Sequence, residues 1–232
     1  YRQGDETVHA LRSTDLQLRA GELVGILGPS GSGKSTLLTI MGGLRTPSSG
    51  TVTISGEPFS ALPEKRRAGI RLRRIGFVLQ ASGLVPFLRL NDQFGLHDRV
   101  TRTKSDTDRR DHLLDSLGIS QRAHAYPSEL SGGERQRAAI AVALYHDPDI
   151  ILADEPTAAL DTRRAQDVAH LLADQTHELG KATVMVTHDE RLLPVCDRVL
   201  VMHDGVLTKR TKPVDEADEK EPARVTGPGE SA

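Results

Sequence analysis

Leu23-Val24-Gly25-Ile26-Leu27 runs directly into Gly28-Pro29-Ser30-Gly31-Ser32-Gly33-Lys34-Ser35, and helix-favouring residues continue to Met41 before Gly42-Gly43. The first five residues form a short aliphatic run bounded by glycines, the pattern of a strand buried on both faces of a parallel sheet. Strand, glycine-rich turn and helix in that order open a doubly wound α/β unit. Similar short aliphatic runs recur at Ile75 to Val78, Ile150 to Ala153, Thr183 to Val186 and Arg198 to Met202. Helical patterns separate them, which argues for parallel pairing.

Outward from this core, the alternation Thr51-Val52-Thr53-Ile54-Ser55, closed by Gly56, predicts a half-exposed strand in a small antiparallel sheet. Thr162 to Leu179 carries apolar residues at Ala165, Val168, Ala169, Leu172 and Leu179, and Gly180 stands at the C-cap position. Asp204-Gly205 predicts a tight hairpin turn. Between about Leu84 and Tyr126 the strand rhythm gives way to charged, helix-compatible sequence, as an inserted helical subdomain would look. From about Thr211 onward Pro, Glu, Asp, Lys and Gly dominate, and residues 211–232 are expected to be a disordered tail.

The chain has 232 residues, 37% hydrophobic and 27% charged, a balance that folds as one soluble α/β domain. A net charge of -2 gives no overall attraction to nucleic acid or anionic lipid. The basic run Lys65-Arg66-Arg67 with Arg71, Arg73 and Arg74 has no interleaved aromatics and reads as a solvated helix face. The single cysteine, Cys196, permits no intramolecular disulfide; it reads as inert packing and a reducing compartment is expected. The longest apolar stretch, Ala138 to Tyr145, is far short of the roughly twenty residues of a membrane-spanning helix. The chain opens on Tyr1 rather than methionine, with no export signal, and a few leading residues are expected ahead of it.

Gly28 to Ser35 matches the phosphate-loop pattern, placed between a strand and a helix as its chemistry requires. Its glycines let backbone N–H groups turn in around phosphates, Lys34 supplies a charge to the β- and γ-phosphates, and the Ser35 hydroxyl can ligate magnesium. By itself this loop fits a small kinase, a GTPase or many ATPases. Ile150 to Ala153 ends in Asp154-Glu155, placing two acids at the carboxyl edge of the sheet beside the loop. Asp154 suits a magnesium shell, and Glu155 can orient and deprotonate a water. Ser131-Gly132-Gly133-Glu134 is a capping box, and its serine hydroxyl and bare glycine amides at a helix N-terminus also make an anion site.

Leu130 to Arg137, LSGGERQR, resembles the signature motif of ATP-binding cassette (ABC) ATPases and precedes the carboxylate strand as in that family. The resemblance runs from Tyr1 to about Thr208. It implies a P-loop NTPase fold: a RecA-like, mostly parallel sheet core, a small antiparallel β subdomain and an inserted α-helical subdomain at about 84–135, within an ATPase domain spanning 1–210. It implies Mg2+ and ATP, with nucleotide contacts from Gly28, Pro29, Ser30, Gly31, Ser32, Gly33, Lys34, Ser35 and Thr36. Gln80 resembles the glutamine that reaches magnesium and senses a transmembrane partner, His188 the switch histidine on the γ-phosphate, and Tyr1 the aromatic that stacks on adenine. Gly4 and Val8-His9-Ala10-Leu11 keep the register of that opening. Asp161 resembles the acid coupling two sites and suits the N-cap of the following helix. Ala159 departs from the usual serine or glycine, which removes a hydroxyl contact.

The same resemblance implies a head-to-tail dimer, of one chain or of two related ATPases, in which ATP at Lys34 of one copy meets Ser131, Gly132 and Gly133 of another. Glu155 would act as general base, with Lys34, Gln80 and His188 completing the catalytic set. Transmembrane permease subunits would hold the protein peripherally at the cytoplasmic face of the inner membrane, and no direct nucleic-acid partner is expected. Gly28 to Leu38, Met41 to Leu44 and Ile75 to Gln80 look most like lipoprotein-release and macrolide-export ATPases. Leu88-Arg89-Leu90-Asn91-Asp92-Gln93-Phe94 departs from the Glu-Asn-Val triplet usual there, so partner docking is expected to differ. Powering export or membrane extraction is the leading reading. The others are a non-transporting ATPase that transmits force to cell-wall enzymes, and a soluble ATPase acting on ribosomes or nucleic acid. One phosphate loop and no sustained heptads stand against the last.

Overall fold

The structure, a computed structural model, describes residues 10–210 and, ahead of them, only the antiparallel backbone pairing of β1 (Arg2–Gln3) with β2 (Glu6–Thr7). Tyr1, Gly4, Val8 and His9, and the tail 211–232, lie outside the described residues. From the core outward the order is β3 (Leu23–Leu27), α1 (Lys34–Met41), α2 (Glu64–Arg74), β4 (Ile75–Val78), α3 (Leu90–Thr101), α4 (Thr107–Ser116) and α5 (Gly132–Tyr145). Then follow β5 (Ile150–Asp154), α6 (Thr162–His177), β6 (Ala182–Val186), β7 (Arg198–His203) and β8 (Val206–Lys209). All the core strands expected from the sequence form.

They build a six-stranded sheet in the order β4-β5-β6-β3-β7-β8, parallel except for the β7–β8 hairpin. Period-two alternation splits the core between the two faces. Leu23, Ile151, Ala153 and Met185 join the cluster formed with α3 to α6, whereas Val24, Ile26, Leu152, Val184 and Val186 pack with Leu37, Leu38 and Phe59. Fully buried side chains such as Ile26 and Ile140 each contribute about 1.5–3 kcal/mol of transfer free energy. After β3 the chain leaves the middle of the sheet for its β4 edge. That jump is a topological switch, and it opens a crevice beyond the carboxyl ends of the strands.

Local chemistry explains the turns. Asp204 and Gly205 both take positive φ, 47° and 76°, as a two-residue hairpin of primed type requires. α6 ends at His177, two residues before the expected Leu179, yet Gly180 (φ 65°) still closes it: Lys181 N donates to Thr176 O at 3.0 Å, a Schellman-type bond. Gly42 lies where a Cβ would come 1.8 Å from Phe77 Cζ, so α1 can close on β4 only with glycine there. Cys196 packs on Gly25, and burial pushes its thiol up to about 12, which keeps it protonated and matches the inert reading.

Thr51–Ser55 does not form the expected strand. Val52 N donates to Ser60 Oγ and Ser60 N to Val52 O, while Ile54 and Glu57 exchange both backbone bonds as an isolated bridge. The alternation is present, but the backbone groups are satisfied inside a local turn, with no neighbouring strand among the described residues. On α2, Glu64 pairs with Arg67 and Arg71, Arg71 donates to Gly43 O, and Arg74 pairs with Asp149. No α2 side chain is buried, in keeping with a solvated face, and three of its six cations, Arg67, Arg71 and Arg74, are paired within the chain.

α3 carries His97, which stacks on His146 just after α5, ring centroids 4.7 Å apart. Each Nε2 faces a backbone carbonyl, Leu72 O at 3.1 Å and Ile75 O at 3.3 Å, and each Nδ1 is buried without a partner among the described residues. Burial, then the neighbouring His97, lowers His146 to about 4; Arg109 and Lys181 act in the same direction, and the bond to Ile75 O opposes them. The folded state therefore prefers neutral His146, while the unfolded chain protonates near 6.5. This contribution to stability is fully present above about pH 6.5 and is lost as pH falls towards 4, by roughly 3 kcal/mol. Thermal melts from pH 7 to 4.5 should show a falling midpoint, with a shallower fall in His146→Gln.

Candidate nucleotide site

Strand register gathers the site. Ile26 pairs with Val186 and Val186 with Asp154, so β3, β6 and β5 end at one level, and Val78 of β4 pairs with Ala153. The residues just past those ends enclose a cavity of about 400 Å³. Gly28, Pro29, Ser30, Gly31, Gly33, Lys34, Ser35, Thr36, Gln80, Asp154, Glu155 and His188 line it, together with Ala10 and Ala158, to which the sequence assigns no role at the site. The small side chains of those two alanines leave no motif to find.

The loop is held by close approaches that exclude side chains. A Cβ on Gly28 would sit 2.2 Å from Met202 O, and one on Gly33 2.2 Å from Ala10 O; both glycines have positive φ. Lys34, 8% exposed, donates to Gly28 O at 2.8 Å and Pro29 O at 2.7 Å, which stretches its ammonium across the loop. Ser32 lies beneath the loop, and its buried Oγ has no partner among the described residues. No side chain caps α1, whose first residues line the cavity. An uncapped helix start and a clamped ammonium make an anion site of phosphate type, while Ser32, expected there from the sequence, does not line the cavity.

Across the cavity, Glu155 has a left-handed backbone (φ 50°), fixed by its N–H donating to Val186 O at 2.9 Å. A non-glycine residue held there stores local strain, which recurs where a side chain must be aimed. His188 Nδ1 lies 2.9 Å from Glu155 Oε2. A carboxylate oxygen accepts, so the ring donates from Nδ1 and leaves Nε2 free. The loop beyond His188 is braced: Asp189 N donates to Thr187 Oγ1, and Arg191 forks onto Asp189 and reaches Thr162 Oγ1 at 3.0 Å. That fork holds the Asp189 carboxyl below its ordinary value.

Ser131, Gly132, Gly133 and Asp161 do not line this cavity. The two glycines instead face the segment just ahead of Asp161: a Cβ on Gly133 would lie 3.2 Å from Leu160 Cδ2 and 3.3 Å from Ala159 O, and one on Gly132 3.9 Å from Ala159 Cβ. Asp161 is the N-cap of α6, accepting from Arg164 N at 3.0 Å. Ser131 caps α5 with a full capping box, and Arg122 donates to Glu134 from outside it. The Ser131 N–H, then Arg122, lowers Glu134 to about 2, so the box loses its charge only as pH falls from about 4.5 towards 2. The departure at Leu88 to Phe94 also has a structural role: buried Gln93 accepts from Val85 N and donates to Val85 O and Leu88 O, shaping the loop ahead of α3.

A mostly parallel sheet with a phosphate loop after its central strand, two acids at the end of β5, one strand removed, and a histidine within reach defines a nucleotide-hydrolysing P-loop ATPase. The chain matches the ABC transporter family over residues 11–158 and belongs to it. It is 42% identical to the lipoprotein-releasing system ATP-binding protein LolD of Legionella pneumophila (strain Lens), over 90% of this chain and 93% of that protein. It is 41% identical to the putative hemin import ATP-binding protein HrtA of Staphylococcus aureus (strain Newman), over 90% and 95% respectively. Among solved structures it is similar to the dimeric structure of MJ0796, a bacterial ABC transporter cassette, with TM-score 0.85 and 36% identity over 90% of this chain and 94% of that one. The post-hydrolysis dimer of the same cassette, bound to ADP and Pi, gives TM-score 0.83 at 37% identity over the same shares. This chain is an ATP-binding, ATP-hydrolysing subunit of the ABC transporter class.

Proposed function

We propose that the protein works as a head-to-tail dimer that closes on ATP and opens after hydrolysis, driving export or membrane extraction of a substrate through separate permease subunits. The separation of two anion-binding features supports this most strongly. One is the cavity at Lys34; the other is the Ser131–Gly133 helix start, which lines no part of that cavity. Two copies related by a two-fold axis bring each loop to the other copy's helix start, and so complete two equivalent sites. The dimeric cassettes to which the chain is similar support the same arrangement.

Residues 1–210 act as one ATPase unit, with a helical insert at about 84–135 offering its outer face to the permease. Ser35, Asp154 and Gln80 supply hydroxyl, carboxylate and amide oxygens to one cavity, a hard-donor set that fits a magnesium ion. Among the described residues no cluster of three His, Cys, Asp or Glu side chains could hold a metal, so substrate phosphates would complete its shell. Bound there, magnesium supplies charge neutralisation on the β- and γ-phosphates. Lys34 releases the Gly28 and Pro29 carbonyls to meet phosphate oxygens, Glu155 takes the proton of the attacking water, and His188, oriented by its Nδ1–H bond to Glu155, packs against the γ-phosphate.

No helix among the described residues is long and apolar enough to cross a membrane. Attachment at the cytoplasmic face therefore rests on the permease. Isolating the membrane protein that co-purifies with this chain and reconstituting both in vesicles tests the reading. ATP-dependent movement or extraction of a substrate is expected, and stimulated hydrolysis with nothing moved would replace it with force transmission.

A further inference from the structure

Glu134 is the acid of the capping box at the start of α5, and it has two partners. Its Oε2 accepts from Ser131 N at 2.8 Å, as any capping box would have it. Its Oε1 accepts from Arg122 Nε at 2.8 Å, and Arg122 belongs to a separate 3₁₀ turn, Ser120–Arg122, twelve residues upstream in the insert. Glu134 is 15% exposed at its side chain, Arg122 45%.

The charge arithmetic at this helix end calls for such a partner. A helix start offers about half a positive charge to an anion, and an unopposed carboxylate in the first turn outweighs it. Glutamine would close the same box with no charge. Here the box is closed by an acid, three residues from the serine that would face the nucleotide of a second copy. Arg135, the adjacent cation, is turned away onto the Pro127 and Leu130 carbonyls. Arg137 forms no ion pair with Glu134 and lies beside Gly133 instead. Arg137 acts on Glu134 only through space, and Arg122 is the cation that hydrogen-bonds the carboxylate.

We propose that Arg122 is a positioning residue of the composite ATP site: it cancels the Glu134 charge and fixes the carboxylate that holds the Ser131 backbone, so that the helix start meets triphosphate as a net positive face. The inference rests on reading Ser131–Gly133 as the second half of that site.

Steady-state ATPase kinetics of the full chain test it with Arg122→Ala, the double variant Arg122→Ala/Glu134→Gln, and Ser131→Arg as reference, each checked for an unchanged circular-dichroism spectrum. Arg122→Ala is expected to raise the KM for ATP roughly five- to tenfold with a smaller change in kcat, and added salt should narrow the gap. Glu134→Gln in the same chain should restore KM to within about threefold of the parent, because the box closes without a charge to cancel. A purely structural role predicts the opposite, a double variant no better than Arg122→Ala. Either that result or an unchanged KM in Arg122→Ala overturns the proposal. If Ser131→Arg is impaired while Arg122→Ala is not, only the role of Arg122 fails. If Ser131→Arg hydrolyses ATP normally, the two-copy site fails with it.

Discussion

Replacing Glu155 with glutamine is expected to slow ATP hydrolysis about a hundredfold or more while ATP binding is retained. The amide would match the Glu155 carboxylate in size and could still accept the His188 Nδ1–H across the 2.9 Å contact, so the His188 loop should keep its place. The backbone bond to Val186 O that aims the side chain is untouched. What disappears is the ability to take a proton from water, and a positioned general base contributes factors of about 10² to 10⁴. With binding intact and hydrolysis removed, closed dimers holding ATP should accumulate. Phosphate release measured beside nucleotide retained through gel filtration separates the two effects. Turnover at the parent rate would assign the base elsewhere; lost retention would make Glu155 a binding residue.

How far the sequence anticipates this site depends on whether each feature is local. Leu23 to Ser35 can be read outright because strand, loop and helix are contiguous and each residue type has a backbone reason to be there. Asp154-Glu155 and His188 are legible because a parallel sheet sends the carboxyl end of every core strand to the same edge. The alternation at Thr51–Ser55 misleads, since it reports which side chains could line a strand and says nothing about a neighbour to pair with; Ser60 takes the hydrogen bonds instead. Glu155's left-handed backbone is equally hidden, because nothing in the residue type prefers φ 50° and tertiary contacts impose it. The Arg122–Glu134 pair joins separate elements, and the capping box accounts for Glu134 so completely that no second partner is sought. Gln93 reads as a plain departure until its bonds to Val85 and Leu88 show it shaping the loop.

Two inactive variants should restore each other. Lys34→Met removes the ammonium now held by Gly28 O and Pro29 O, and with it the only lysine among the described residues that line the cavity, so ATP binding at that loop should be lost. Ser131→Arg removes the N-cap hydroxyl and puts a long side chain at the α5 start, leaving the Lys34 loop intact. Each homodimer then has two broken sites. In a mixed dimer the geometry differs: the loop of the Ser131→Arg copy faces the intact helix start of the Lys34→Met copy, and both lesions fall in the other site. Random pairing makes about half the dimers mixed, so about a quarter of all sites recover. With Glu155→Gln added to both chains, that recovery should appear as ATP retained in dimers of the mixture and absent from either variant alone. Retention no greater than the sum of the two separate variants would mean that loop and helix start never share a nucleotide, because only a site drawn from two copies can be rebuilt from two halves that each fail.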